Sequence, residues 1–358
     1  MLLGALGAGV PPTTHAQDAP DTVYTQTNAT AQAGGNQIAI YRRAADGSLV
    51  LAGTAATGGA GTGAGLGSQG AVVLSENLRW LFAVNAGSDQ VSAFAVTPDG
   101  LRRTDTVASG GTMPISLTTD GDRLYVLNAG SNTIAGFDLR GGRLSPIAGA
   151  VRPLSAGAAG AAQIQFRPDG RVLVVTEKTS NTIDTFVVDR DGRAGPAQAH
   201  AAAVTGATPF GFAFARRDLA IVSDAGIGAL SAYDVDTDGS LQTRTAAAYN
   251  GQEAPCWVVA TQNGAFAYTT NAHSGTISGY RIDHDGQLRL LTPGGVTADT
   301  GAGSGPTDMA LSNDGRVLYA LTEGTRSISA FRIAADGRLT AQPGATGIPA
   351  GMVGLAAR

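Results

Sequence analysis

One phrase recurs along this chain and constrains its fold more than any other feature. At residues 81–94 it reads LFAVNAGSDQVSAF, an apolar run, a polar turn and a second apolar run. It returns as LYVLNAGSNTIAGF at 124–137 and as FAYTTNAHSGTISGY at 266–280. Looser copies lie at 173–186, 219–233 and 318–331, and one with a longer turn at 24–41. The seven copies end on Tyr41, Phe94, Phe137, Phe186, Tyr233, Tyr280 and Phe331. Short apolar runs bounded by turn residues predict strands. Repetition every roughly 40–50 residues marks propeller blades or stacked arrays, whose units bury their apolar faces only against one another.

Each repeat divides into four strands, A to D. In the third, Pro114 to Leu117 is strand A, a hairpin follows at 119–122, and residues 124–127 are strand B. Strand C covers 133–137 and strand D 143–147. The C-to-D turns carry Asp46-Gly47, Asp99-Gly100, Asp191-Gly192, Asp238-Gly239, Asp285-Gly286 and Asp336-Gly337, and Gly141-Gly142 in the third repeat. Asp-Gly between strands is a hairpin signal for turns in which both central residues take positive φ. The first repeat lacks a strand A, whereas the chain runs past its last repeat to residues 351–358. That tail is expected to return as the innermost strand of blade 1, hiding the edges that an open array exposes. The expected fold is all-β, a seven-bladed β-propeller of four-stranded blades closed by the C-terminal strand, over residues 23–358.

Residues 1–22 read as a leader. An apolar run from Leu2 to Val10 and the small-residue stop Thr14-His15-Ala16 resemble the rear of a secretory signal, without its basic start. The expected location is therefore periplasmic or secreted. A net charge of -4 with no basic cluster argues against a nucleic-acid surface. No run reaches the length of a membrane span, and the chain is expected to be a monomer. The single cysteine, Cys256, allows no internal disulfide. Loops 53–70 and 152–162 are rich in glycine; flexible connection is the expected role, with a lid over the channel mouth as the alternative.

In a four-stranded blade the B-to-C turns share one face with the D-to-A connections. Nine residues before each strand C aromatic stand Asn85, Asn128, Glu177, Asp224, Asn271 and Thr322, with Asn28 in blade 1. These are expected to ring one mouth of the channel. Asparagine and aspartate also favour turns for local reasons; glutamate does not, which singles out Glu177. Glu177, Asp224 and His273 are the candidate acid–base residues, with Asn85, Asn128, Asn271, Glu323, Arg326 and Trp257 as substrate-binding candidates. The competing reading is a solvated rim in which Glu177 pairs with Lys178 and Glu323 with Arg326. Cys256 is a poor nucleophile without an activating base. A Ca²⁺ or Mg²⁺ shell built from Glu177, Asp224 and Asn271 is a further option.

The repeats, the Asn-Ala-Gly-Ser turns, the Asp-Gly hairpins and the returning strand at 351–358 together resemble the lactonase-type seven-bladed propellers. These are relatives of 6-phosphogluconolactonase and the fungal carboxymuconate-lactonising enzyme. The resemblance implies a small-molecule substrate and a hydrolase that opens a lactone, or a lactonising isomerase. Its histidine-bearing inner-strand start is missing: the matching segments are 113–115, 162–164, 208–210, 254–256 and 305–307, none with histidine. A non-catalytic envelope propeller of the YVTN type is the alternative that this departure leaves open.

Overall fold

A computed structural model of the chain describes residues 21–358. The expected leader thus falls outside the described residues up to position 20, His15 included, and Thr22 already opens the first strand. Seven antiparallel sheets follow one another. From the inside outward, blade 1 comprises Val353–Ala357, Thr22–Gln26, Gln37–Arg43 and Leu49–Ala56. Blade 2 comprises Val72–Leu74, Trp80–Asn85, Gln90–Thr97 and Gly100–Ala108. The inner strands of blades 3 to 7 are Pro114–Asp120, Ala161–Phe166, Pro209–Phe214, Pro255–Ala260 and Pro306–Leu311.

The ring closes as expected. The C-terminal strand pairs antiparallel with the first, Val23 opposite Ala357, Tyr24 opposite Ala356 and Thr25 opposite Leu355. Asp308 of blade 7 secures it from the other side. Its Oδ2 accepts the Leu355 amide at 3.1 Å, and its Oδ1 accepts the Met309 amide at 2.8 Å. Burial without a cation holds the Asp308 carboxyl well above its ordinary range.

Burial grades from the middle of each blade outward. Every residue of Val172–Glu177 is buried, because a strand B has a neighbouring blade on each face. Strand D is the exposed edge, as in Leu49–Ala56. All seven strand C aromatics are buried between blades, with exposures of 0 to 4 %. Burying such a ring is worth about 2–3 kcal/mol, so the repeated aromatic is the main apolar tie between units.

The C-to-D turns differ from the expected two-residue form. In five blades only the glycine has positive φ: Gly47, Gly192, Gly239, Gly286 and Gly337 lie between 80° and 87°. The aspartate before it keeps negative φ. In blades 1, 5 and 7 its carboxylate accepts an amide two residues on, as from Ser48 to Asp46 at 2.9 Å, whereas in blades 4 and 6 that amide goes to Asp189 and Asp283, two residues earlier. This is a type I turn followed by a left-handed glycine, a form that aspartate and glycine suit equally well. Blade 2 closes more tightly, with Thr97 directly opposite Gly100. Among the C-to-D turns, Gly141 and Gly142 supply two consecutive positive φ values, 59° and 83°, in the blade without Asp-Gly.

Candidate functional site

The seven inner strands enclose a chamber of about 630 Å³, to which every blade contributes. Its lining runs from Gln69, Gln163 and Val258 out to Glu76, Asp120, Arg167, Gln262 and Asn313 in the A-to-B hairpins. None of the residues that open strands A in blades 3 to 7 lines it. The chamber therefore opens on the hairpin face, opposite the face expected from the B-to-C turns.

The expected mouth is filled by the chain itself. Residues 53–56 of the expected loop extend strand D of blade 1, and the remainder, 57–70, enters the channel and lays Ser68 to Gly70 across the inner strands of three blades. Ser68 Oγ donates to Ile115 O at 2.8 Å, and Ser116 Oγ donates to Gln69 O at 2.6 Å. The Gln69 amide reaches Ala162 O. Across the channel the Gln69 carboxamide makes two bonds to the backbone of Val258, at 2.7 and 2.9 Å. Trp257 Nε1 donates to Ser68 O at 2.8 Å. Glycine is what allows this approach: a Cβ at Gly61 would overlap the carbonyl of Asn28, and one at Gly59 the side chain of Asn85. The loop is a fitted plug, so the expectation of a flexible connection gives way to the lid alternative. Lys178, Phe210 and Cys256 finish this end. Lys178 Nζ lies 4.8 Å from the Phe210 ring centre and donates to Gly67 O at 2.6 Å. Burial pushes the Cys256 thiol up to about 12, leaving it inert at neutral pH.

The residues expected to ring the mouth do share one register position, but they are sealed between blades. Asn85, Asn128, Glu177, Asn271 and Thr322 are 0 % exposed and Asp224 is 1 % exposed. Asn85 donates to Ser92 at 2.8 Å and accepts from Asn36 at 3.1 Å. Asn271 donates to Thr276 and Ser278 at 3.0 and 2.9 Å and accepts from Asn250 at 3.0 Å. Asn128 donates to Ser109 O at 3.2 Å. These asparagines brace adjoining blades and present no free amide to a substrate in the channel.

The two acids at this position are less well served. Glu177 Oε2 accepts the Ser180 hydroxyl at 2.6 Å, while Oε1 has no partner. Burial lifts its carboxyl to about 7, with the nearby Asp184 adding to the rise against the Ser180 bond. Asp184 Oδ2 accepts the Ser155 amide at 2.7 Å and its Oδ1 is unpaired. Both oxygens of Asp224 lack a partner, and Ser231 beside it closes no well-formed bond. Burial raises Asp224 to about 8. Neither Glu177 with Lys178 nor Glu323 with Arg326 forms an ion pair among the described residues. Glu177 turns inward between blades while Lys178 turns to the plug.

His273, Glu323 and Arg326 are exposed on B-to-C turns, with Arg326 Nε donating to Ile348 O at 3.0 Å. Trp257 is 7 % exposed and committed to the plug. No hydrogen bond joins Glu177, Asp224, His273 or Asn271 to another of the four. The Asn271 oxygen named for a calcium or magnesium shell already accepts from Asn250 at 3.0 Å. Among the described residues, the one trio of carboxylate and imidazole groups spaced for an ion is Asp283, His284 and Asp285, on a surface hairpin.

Sequence reasoning missed the residues that do meet in the chamber. Thr119 and Asp120 end the inner strand of blade 3, and among the described residues the side chain of Asp120 has neither a cation nor a hydrogen-bond donor. Gln165 sits beside Gln163, whose carboxamide is doubly bonded to the Phe212 backbone at 2.7 and 2.9 Å. Arg167 is the only cation of the lining, and it is already engaged, with Val235 O at 2.9 Å and with Asp169. A signal existed in the polar alternation Gln163, Gln165, Arg167 along an inner strand, where core residues would be ordinary.

A closed ring of seven four-stranded blades around a channel plugged at one end defines a seven-bladed β-propeller. The model of the family described as lactonase, 7-bladed beta-propeller, matches residues 33–152, 118–223 and 212–348, and the chain belongs to that family. No curated protein matches it significantly in sequence. Among solved structures it is similar to a putative 6-phosphogluconolactonase from Bacteroides fragilis, with a TM-score of 0.75 at 18% identity, covering 97% of this chain and 100% of that one. A periplasmic gluconolactonase from Pseudomonas aeruginosa gives 0.72 at 18% identity, covering 92% and 98%. A virginiamycin B lyase from Staphylococcus aureus is more distant, at 0.53 and 13% identity, covering 78% and 85%. At these identities the structural likeness speaks for the fold. No helix among the described residues is long and apolar enough to cross a membrane.

Proposed function

We propose that this chain is a lactonase-like hydrolase that opens a small lactone inside the channel chamber. The observation that carries this reading is the chamber itself: about 630 Å³, lined by all seven blades and stopped at one end by Ser68 to Gly70. That volume lies within the range of small-molecule pockets, roughly 300–1,000 Å³. Ring opening requires water to attack the acyl carbon, forming one C–O bond while the ring ester C–O bond breaks. The water gives its proton to a base, the alkoxide leaving group takes one up, and the carbonyl oxygen needs donors as its charge grows. Asp120, the partly exposed carboxylate without a partner, is our candidate base. The Gln165 carboxamide NH2, whose oxygen alone is engaged by Gln163 Nε2 at 3.5 Å, and the Thr119 hydroxyl are the candidate donors.

The test is Thr119→Trp, which fills the chamber. Lactone hydrolysis above the uncatalysed rate should fall at least about 100-fold with the melting temperature kept, the range that loss of substrate positioning commands. Full activity in a folded Thr119→Trp protein would remove the chamber from the account.

A second reading keeps the chemistry at Glu177, with Asp224 and His273 assisting. What favours it is the Glu177 carboxyl lifted to about 7, the range suited to acid–base work near neutrality. It requires the loop over Glu177 to open, because that side chain has no exposed surface. Export remains part of the proposal, resting on residues 2–16; N-terminal sequencing of the protein recovered from a periplasmic fraction checks it. A metal-free, monomeric protein is the form in which we expect this activity, and metal analysis with light scattering reads both.

A further inference from the structure

The charges of the chamber point to a substrate class. Its lining holds three carboxylates, Glu76, Asp120 and Asp308, and one cation, Arg167. The Arg167 guanidinium is nine-tenths buried and spent: Nε is bonded to Val235 O and the far end to Asp169. Asp308 is held by two backbone amides and turned to the ring closure. What a ligand meets is therefore acid at the rim, from Glu76 and Asp120, and uncharged groups within. The latter are Gln165 and Thr119 between apolar stretches such as Phe166, Phe214 and Leu311, with the Asn313 amide out at the rim. Two rim carboxylates with no free cation repel a phosphate, which needs paired guanidinium, ammonium or helix N-terminal donors. The described residues contain hardly any helix, a single turn at Ala31–Ala33. Amide and hydroxyl side chains beside apolar surface suit a neutral ring carrying hydroxyl groups.

We infer that the chamber selects uncharged, hydroxylated lactones and rejects their phosphate esters. This rests on the hydrolase reading above and narrows it. The same field bears on turnover. A neutral lactone enters, and ring opening converts it to a hydroxy-carboxylate that ionises at neutral pH. The acidic rim that tolerates the substrate then expels the product, so product inhibition by the hydroxy-acid should be weak.

The experiment compares initial rates of ring opening, above the uncatalysed blank, on glucono-1,5-lactone and on its 6-phosphate. The expected result is a kcat/KM at least about tenfold higher for the neutral lactone, the size of one like-charge penalty of about 1.4 kcal/mol. Glu76→Lys, which reverses one rim charge, should narrow that ratio by lowering KM for the phosphate ester with kcat little changed. Equal or better turnover of the phosphate ester overturns the inference and leaves the hydrolase standing. A ratio that stays fixed in a folded Glu76→Lys protein overturns the electrostatic basis. Absence of turnover on both lactones overturns the hydrolase reading and this inference with it.

Discussion

Two kinds of junction hold neighbouring blades together beneath the same face of this propeller. At blades 1–2 and 5–6 the position is an asparagine with a serine seven residues on, Asn85 with Ser92 and Asn271 with Ser278, and the amide hydrogens find acceptors. At blades 3–4 and 4–5 it is an acid, Glu177 with Asp184 and Asp224 with Ser231, and oxygens stay unpaired. An amide both donates and accepts, so it can close a buried network without charge. A carboxylate only accepts, and in a dry site it avoids the cost of burying charge by keeping its proton. One register position thus serves as a neutral brace at Asn85, Asn128 and Asn271 and as a proton store at Glu177 and Asp224.

The largest effect of breaking this pattern should come from the well-paired side. Asn271→Leu removes a buried carboxamide with three side-chain partners, and chemical denaturation should show a loss of about 3 kcal/mol. A loss below about 1 kcal/mol would mean the network is not what joins these blades.

The acid side should appear as a pH dependence. Glu177 is raised from 4.5 to about 7 and Asp224 from 3.8 to about 8. Between the unfolded and folded values the native state keeps protons that the unfolded chain has released. Stability therefore falls as pH rises through that window and levels off above about 8. Melting temperatures between pH 5 and pH 9 should drop by several degrees. The smallest effect belongs to Asp224→Asn, which restores a donor beside Ser231. At pH 5 it should change stability by less than about 1 kcal/mol. Its advantage over the wild type should then grow toward pH 8. A wild-type profile that is flat from pH 5 to 9 would show that these carboxyls are hydrated or paired in solution.

The architecture was legible because its signals are local and repeated. A strand C aromatic in every unit, a turn residue nine before it, and a tail at 351–358 with no partner in its own repeat dictate blades and closure. The common register of Asn85, Glu177 and Asn271 was equally readable. Their burial was not, because it depends on loops crossing from the preceding blade. The plug was hidden for a different reason. Its bonds from Ser68 and Gln69 to Trp257 and Val258 span 189 residues, and loop 53–70 has no apolar periodicity to announce a buried segment. The chamber had its own sign, in the polar side chains of Gln163, Gln165 and Arg167 along and just past an inner strand.

The measurement that decides between the ends is a kinetic pair on a neutral lactone at pH 7, Asp120→Asn against Glu177→Gln, both shown by melting to be folded. With chemistry in the chamber, Asp120→Asn should lower kcat by about 10²- to 10⁴-fold, the span of a lost general base. Glu177→Gln should stay within about threefold of wild type and alter stability more than rate. The opposite ranking, with Glu177→Gln inactive and Asp120→Asn unimpaired, would contradict the account and move the reaction to the sealed acids beneath the plugged face.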